Sequence, residues 1–148
     1  MRETFVRLGA EELTGKISMN SSNWAQVGET IFAEFMVGIA EKVGVAYDHE
    51  EGFGGQRAFI SNCQISMYIT KEEMSFEEAQ EKFLNKLLGF SGPFEMEANY
   101  EGYSEFTILD YCLEECRIGG HDINKILLEH IGEYANIRIE VYNKGVQL

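Results

Sequence analysis

Two cysteines and two histidines near the end of the chain carry the side chains best suited to chemistry. Cys112, Cys116, His121 and His130 form the pattern Cys-x3-Cys-x4-His-x8-His. Zinc binds thiolates and imidazoles in a tetrahedron, but known zinc sites usually contain a closer Cys-x-x-Cys pair. The spacing therefore favours two buried thiols and two unrelated histidines, and we expect neither a metal site nor a cofactor.

Cysteine-based catalysis is the second chemistry that these residue types permit, because a thiol beside a histidine and a carboxylate is a sufficient nucleophile. Cys63 lies in a segment of alternating apolar and polar residues, which predicts that its side chain points into a core. No Gly-x-Ser-x-Gly pattern occurs, and Asp122 after His121 is better explained as a helix cap. We therefore predict that the protein is not an enzyme.

Acidic residues dominate the middle of the chain. Between Glu72 and Glu115 there are twelve Asp and Glu residues and two lysines, which accounts for most of the net charge of −13. A folded surface with so many carboxylates attracts basic partners and repels nucleic acid. We therefore expect a basic nucleic-acid-binding protein as the partner and no direct contact with nucleic acid. The residues predicted to bind that partner are Glu95, Glu97, Glu101, Glu105, Asp110, Glu114 and Glu115.

The spacing of these carboxylates suits such a partner. Successive residues on one face of a strand lie about 6.5–7 Å apart. A row of negative charges with this spacing resembles the regular phosphates of a nucleic-acid strand and would fit a groove that normally holds one. The alternative is a solvated acidic face whose only role is to keep the protein soluble.

Length and composition indicate one folded domain over residues 1–148. The chain is 45% apolar, which is enough to form one core. No apolar run approaches the roughly 18 residues of a membrane span, and no signal-peptide pattern follows the first residues. We therefore expect a cytoplasmic protein that does not contact a membrane. Three cysteines without a secretion signal indicate reduced thiols.

The first half of the chain predicts two short strands, a long helix and a long strand. The short strands are Thr4–Leu8 and Leu13–Met19. The helix runs over Trp24–Lys42, begins after the cluster Asn20-Ser21-Ser22-Asn23 and ends at Gly44, because apolar residues recur at spacings of three and four. The long strand covers residues 57–70, with Phe59 and Cys63 facing inward and Ser61 as an exception to the alternation.

The second half predicts a helix, an acidic hairpin, a short helix and a last strand. The first helix begins at the cap Ser75 and is closed by Gly89. The hairpin has strands over residues 94–100 and 103–111, joined by a turn at Glu101-Gly102. The short helix begins at the cap Asp122, and the last strand covers residues 135–142. This order favours an α+β fold with an antiparallel or mixed β-sheet packed by two to three helices.

Two stretches near the C-terminus, Cys-Arg-Ile-Gly-Gly-His-Asp-Ile-Asn at residues 116–124 and Ile-Leu-Leu-Glu-His-Ile-Gly at residues 126–132, resemble the closing segment of small phage and prophage proteins. The acidic, small, single-domain profile is also similar to anti-CRISPR and anti-restriction proteins, several of which imitate DNA. The resemblance implies an inhibitor that occupies the DNA- or RNA-binding surface of a CRISPR nuclease or restriction enzyme.

Three other readings of the sequence stay open at this point. One is a structural or assembly module, including a homo-oligomer. Another is a protein that binds a small ligand through the apolar helix Trp24–Lys42. The third, on the Cys and His pattern above, is a zinc-binding protein.

Overall fold

Long antiparallel strands make up most of the structure. The computed structural model describes the backbone of residues 4–20, 24–49, 55–103 and 108–145, and the side chains of residues 7–20, 24–46, 56–99 and 113–142. In chain order the elements are β1 (Thr4–Met19), β2 (Ala25–Val27), β3 (Thr30–Ile31), α1 (Phe32–Val43), β4 (Val45–His49), β5 (Gly55–Thr70), α2 (Phe76–Lys82), a 3-10 helix (Leu84–Lys86), β6 (Leu88–Tyr103), β7 (Ile108–Ile118), β8 (His121–Asp122), α3 (Ile123–Leu128) and β9 (Tyr134–Gly145).

The strands form one sheet in the order β3-β2-β1-β9-β5-β6-β7-β8. β9 pairs with β5 from Cys63 to Thr70, and β4 pairs with the same side of β5 from Gly55 to Phe59. Every strand pair in the described part of the chain is antiparallel. The protein is therefore α+β in the broad sense, with an antiparallel sheet that dominates over three helices. Among the described residues, no helix is long and apolar enough to cross a membrane.

The main core lies between one face of the sheet, here called the inner face, and the helices α1 and α3. Side chains from β9 alternate into this core, and α1 buries Phe32, Met36 and Ile39 against it. Leu127 of α3 joins the same cluster. Burial of apolar area is the main favourable term in folding, and most of the apolar side of α1 is used by the core. The inward residues of β9 are Ala135, Ile137, Ile139 and Val141.

Helix α1 is shorter than predicted. Residues 25–31 form the strands β2 and β3, and the helix begins only at Phe32. Gly28 has a φ of +63°, which suits a tight turn between two strands and interrupts a helix. Before β2, the Asn20 carboxamide oxygen accepts a hydrogen bond from the Trp24 backbone N–H at 2.9 Å. The predicted helix start was therefore wrong, whereas the predicted end at Gly44 is confirmed.

Both predicted helix caps in the second half are confirmed, but the first of these helices ends early. Ser75 Oγ accepts a hydrogen bond from the Glu78 N–H at 3.2 Å, and Asp122 Oδ1 accepts one from the Lys125 N–H at 3.0 Å. α2 ends at Lys82, and Gly89 lies within β6 instead of closing a helix. The long pairing of β6 with β5 overrides the local helical pattern of residues 83–88.

The acidic hairpin is longer than predicted. Glu101 is in register with Asp110, and Tyr103 with Ile108, so Glu101-Gly102 belongs to β6 and is not a turn. The predicted turn position was wrong because the pairing of the two strands continues past it. The connection at residues 104–107, which includes the predicted site residue Glu105, lies outside the described residues.

A line of irregularities crosses the middle of the sheet. Gly9, Val141, Cys63 and Gly92 are in register across β1, β9, β5 and β6, and we call this row the crease. β1 has a register shift between Arg7 and Gly9, and β5 has one between Ile60 and Cys63. Such β-bulges bend a strand and increase its local twist.

The bulge in β5 explains the exception at Ser61. Ser61 and Asn62 together oppose one residue, Pro93, and the extra residue restores Ile60 and Cys63 to the same inner face. Phe59 consequently points to the other face, where it is 40% exposed, so its predicted inward orientation was wrong. The proline suits this position because it has no N–H to leave unpaired opposite a bulge.

Substitutions at the adjacent glycines 119 and 120 test the close approach of strands at the crease. Both have positive φ, +58° at Gly119 and +83° at Gly120. A Cβ at Gly119 would overlap the Ser91 carbonyl oxygen, whereas one at Gly120 meets nothing within 4 Å. Gly119→Ala should lower the free energy of unfolding by at least about 3 kcal/mol and Gly120→Ala by about 1 kcal/mol, measured by urea denaturation. Equal losses would contradict the packing described.

Candidate functional site

The face of the sheet opposite the main core, here called the outer face, carries paired charges. Arg57 Nη2 lies 2.9 Å and Nε 3.2 Å from Glu97 Oε1, and Arg138 Nη2 lies 2.6 Å from Glu12 Oε1. The charged side chains that alternate onto this face are Glu12, Glu95, Glu97, Glu115 and Glu140, with Arg7, Lys16, Arg57, Arg117 and Arg138. Among the described side chains of these strands, acidic and basic residues are equal in number, so this part of the outer face carries no excess of negative charge.

Two of the predicted partner-binding residues are compensated within the protein. Glu97 and Glu115 are directly opposite each other in register, an arrangement that destabilises a strand pair when both carry negative charge. Each has its own arginine, Arg57 for Glu97 and Arg117 for Glu115, the latter at 3.4 Å. These pairs are partly solvated and contribute little to stability, but they cancel the local charge.

Two further predicted residues have side chains that face solvent. Glu95 is exposed on the outer face, in register with Arg117. Glu114 is the extra residue of a bulge in β7. Glu115 is opposite Glu97 and Leu113 is opposite Ala98, so Glu114 between them has no register partner in β6. Glu114 is exposed, and no ion pair is found for it among the described residues.

Of the remaining predicted residues, Glu101 and Asp110 lie where β4, β6 and β7 reach one end of the sheet. We call this the acidic sheet end and define it by residues 45–49, 98–103 and 108–114. Glu101 of β6 is in register with Asp110 of β7. Asp48 of β4 is in register with Gln56 of β5, and Gln56 is in turn in register with Ala98 of β6. With Glu114, these strand positions hold four acidic residues. The three ranges contain no lysine or arginine, whereas β5, which lies between β4 and β6, carries Arg57 in register with Tyr47 and Glu97.

The acidic helix α2 is far from this end. α2 packs on the outer face through Phe76 and Ala79, which contact Tyr68 near the other end of β5. The distance from Gln56 to Thr70 along β5 is about 45 Å at the usual strand rise. Exposed charges this far apart are screened at physiological salt. The carboxylates of α2 and those of the acidic sheet end therefore form two separate surfaces.

The cysteines and histidines do not converge in the part of the chain that the structure describes. Cys116 is buried on the inner face, His121 lies against the Phe90 ring, and His130 Nδ1 is 3.5 Å from Glu133 Oε1. No group of three potential metal ligands is found among the described residues. The side chain of Cys112 lies outside them.

Burial makes the two described thiols poor nucleophiles. It raises the pKa of Cys63 to about 12, and burial together with the nearby Asp122 carboxylate raises the pKa of Cys116 still further. The thiolate is the reactive form, so a raised pKa disfavours nucleophilic chemistry at neutral pH. Neither side chain is arranged for catalysis.

Sequence patterns alone did not identify the arginines that neutralise the outer face. Arg57 is 40 residues from Glu97, and only the register of β5 against β6 brings them together. Asp48 was also missed as a member of the acidic sheet end, because only the pairing of β4 with β5 brings it there. Comparisons with protein families, curated proteins and solved structures find no match for this chain.

The protection of the thiols can be measured in a Cys112→Ser variant. Cys63 and Cys116 should not react with Ellman's reagent in the native protein at pH 8, and both should react in guanidinium. The native state retains thiol protons that the unfolded chain releases above about pH 9. The free energy of unfolding should therefore fall above that pH, by up to about 1.4 kcal/mol per pH unit for each thiol. Rapid reaction of native Cys63 or Cys116 would contradict the burial.

Proposed function

We propose that this chain is a non-enzymatic acidic binding protein that inhibits a basic nucleic-acid-handling protein by occupying its DNA- or RNA-binding surface. The acidic sheet end makes the contact. The observation that carries this proposal is the placement of Glu101 opposite Asp110, with no lysine or arginine in register with either residue.

Comparison with the neighbouring acidic pair supports this choice of surface. Like charges directly opposite each other on paired strands cost about 0.2–1 kcal/mol. At Glu97 and Glu115 the protein offsets that cost with Arg57 and Arg117. No lysine or arginine is in register with Glu101 or Asp110, so lysines or arginines of a partner would relieve the repulsion on binding.

The shape of the acidic sheet end also suits a groove. Part of it is a two-stranded ribbon: among the described residues, β6 from Tyr100 to Tyr103 pairs with β7 and has no register partner in β5. A two-stranded ribbon is narrow enough to enter a cleft that holds a nucleic-acid strand. The side chains of Glu95 and Glu114 extend the negative surface toward the body of the sheet.

The partner class follows from the charge and from the resemblance to phage inhibitors. A CRISPR nuclease or a restriction enzyme holds its nucleic acid in a positively charged channel. Carboxylates in such a channel compete with phosphates, and association should be fast and sensitive to salt. The protein itself, with a net charge of −13, should not bind DNA.

Charge reversal at the acidic sheet end tests the proposal. The assay is DNA cleavage by a panel of purified CRISPR effector nucleases and restriction endonucleases, with increasing amounts of this protein. We expect inhibition of at least one enzyme, relieved by raising the salt from 50 to 200 mM. The double variant Glu101→Lys, Asp110→Lys should weaken that inhibition by at least about tenfold, because it places cations against a cationic surface.

The matched control is Glu77→Lys, Glu81→Lys on α2, which changes the net charge by the same amount at the other end of the sheet. This variant should inhibit as the wild type does. Equal losses in the two double variants would show a dependence on net charge alone and would contradict a contact at the acidic sheet end. Absence of inhibition across the panel would contradict the proposed function.

A further inference from the structure

A cavity opens on the outer face beside the crease. Its volume is about 420 Å³, and it is lined by Asn62, Cys63, Gln64, Ser91, Gly92 and Tyr142. This volume lies within the range of small-molecule sites, about 300–1,000 Å³. The cavity is distant in sequence and in register from Glu101 and Asp110 and does not belong to the acidic sheet end.

The backbone creates this cavity because one edge of β5 has no paired strand between Phe59 and Cys63. The pairing of β4 with β5 ends at Phe59, and the pairing of β9 with β5 begins only at Cys63. On the edge of β5 that faces β4 and β9, the bulge residues Ser61 and Asn62 therefore have no register partner, while on the other edge they face Pro93 of β6. Bulges that re-aim side chains and end strand pairing occur preferentially next to functional sites.

The side chains around the cavity are polar and neutral. Asn62 and Gln64 present carboxamides, Ser91 presents a hydroxyl, and Gln64 is in register with Ser91. Within the described part of the chain these three side chains make no hydrogen bond to the protein. Each carboxamide both donates and accepts, and so does the hydroxyl. The lining thus offers unused donors and acceptors in close proximity.

Tyr142 adds an aromatic surface in a fixed position. Its hydroxyl donates to Glu140 Oε2 at 2.8 Å, and the same carboxylate oxygen lies 3.5 Å from Arg7 Nη1. The Glu140 carboxylate is therefore engaged by two donors. An aromatic ring beside several amides is a combination that binds the C–H and O–H groups of a ring-shaped polar ligand.

The lack of charged side chains in the lining limits the kinds of ligand that the cavity can bind. None of the lining side chains carries a charge, and Arg7, which lies near Tyr142, is paired with Glu140. An anionic ligand therefore finds no unpaired cation there, and the net charge of −13 repels it. A purely apolar ligand would cover the amides of Asn62 and Gln64 without giving them partners, which is costly. We infer that the cavity beside the crease binds a neutral polyhydroxylated ring, which is to say a sugar.

Titration of the ¹⁵N-labelled protein with D-glucose, D-galactose and N-acetylglucosamine, followed by two-dimensional NMR, tests the inference. At least one sugar should give saturable shifts that centre on the amides of Asn62, Gln64, Ser91 and Gly92. Glucose 6-phosphate should bind more weakly than glucose, because the cavity has no cation for the phosphate. No saturable shift with any of the three sugars, shifts elsewhere, or tighter binding of the phosphate would overturn the assignment.

A variant pair separates specific binding from a general effect on the sheet. Gln64→Leu, at an exposed strand position, should raise the Kd of the sugar about tenfold, as expected for the loss of one or two hydrogen bonds. Gln80→Leu, at an exposed position on α2, is the matched control and should leave Kd unchanged. An unchanged Kd in Gln64→Leu would also overturn the assignment, whatever the result of the nuclease assay.

Discussion

The bend at the crease is the constraint on which the remaining structure depends. Strands of 16 residues, as in β1, β5 and β6, extend about 50 Å if they are regular. A core built on α1 and α3 needs a curved sheet, and bulges provide that curvature. At the crease, Gly92 passes so close to Gly119 that an added Cβ would lie 2.7 Å from the Gly119 Cα. The inner face and the cavity on the outer face both follow from this local geometry.

Register across the sheet decides which negative charges the protein neutralises itself. The arginines of β5 and β7 lie beside Glu97 and Glu115. Farther along β6 and β7, at residues 98–103 and 108–114, all the charged residues are acidic. Net charge is therefore a poor description of this surface. What distinguishes the acidic sheet end is a local imbalance, produced by strand pairing, in a protein whose outer sheet face is otherwise balanced.

Features decided by neighbouring residues were predictable from the sequence. The caps Ser75 and Asp122 and the helix end at Gly44 depend on local hydrogen bonds and backbone preferences, and all three are confirmed. The segment 24–31 and the supposed turn at Glu101-Gly102 depend on pairing with distant strands, and there the local patterns were misleading. Propensity is a weak prior where tertiary pairing competes with it.

The candidate site shows the same division. The acidic residues were visible as residue types, but their compensation by Arg57 and Arg117 required the strand register. The bulge that forms the cavity left one trace in the sequence, which was the break in alternation at Ser61. A polar residue that interrupts a regular apolar alternation is the signature of an inserted residue, and it was the available signal for a site at Asn62 and Gln64.

The central claim is that Glu101 and Asp110, which are in register on β6 and β7, form an acidic pair with no lysine or arginine in register with either residue. A double-mutant cycle of Glu101→Gln and Asp110→Asn, measured by urea denaturation at low and high salt, tests it most directly. Our account predicts that either single substitution raises the free energy of unfolding by about 0.2–1 kcal/mol, that the second adds little, and that salt removes the gain. Destabilisation by both single substitutions would show that these carboxylates already have cationic partners within the protein, and it would contradict the account.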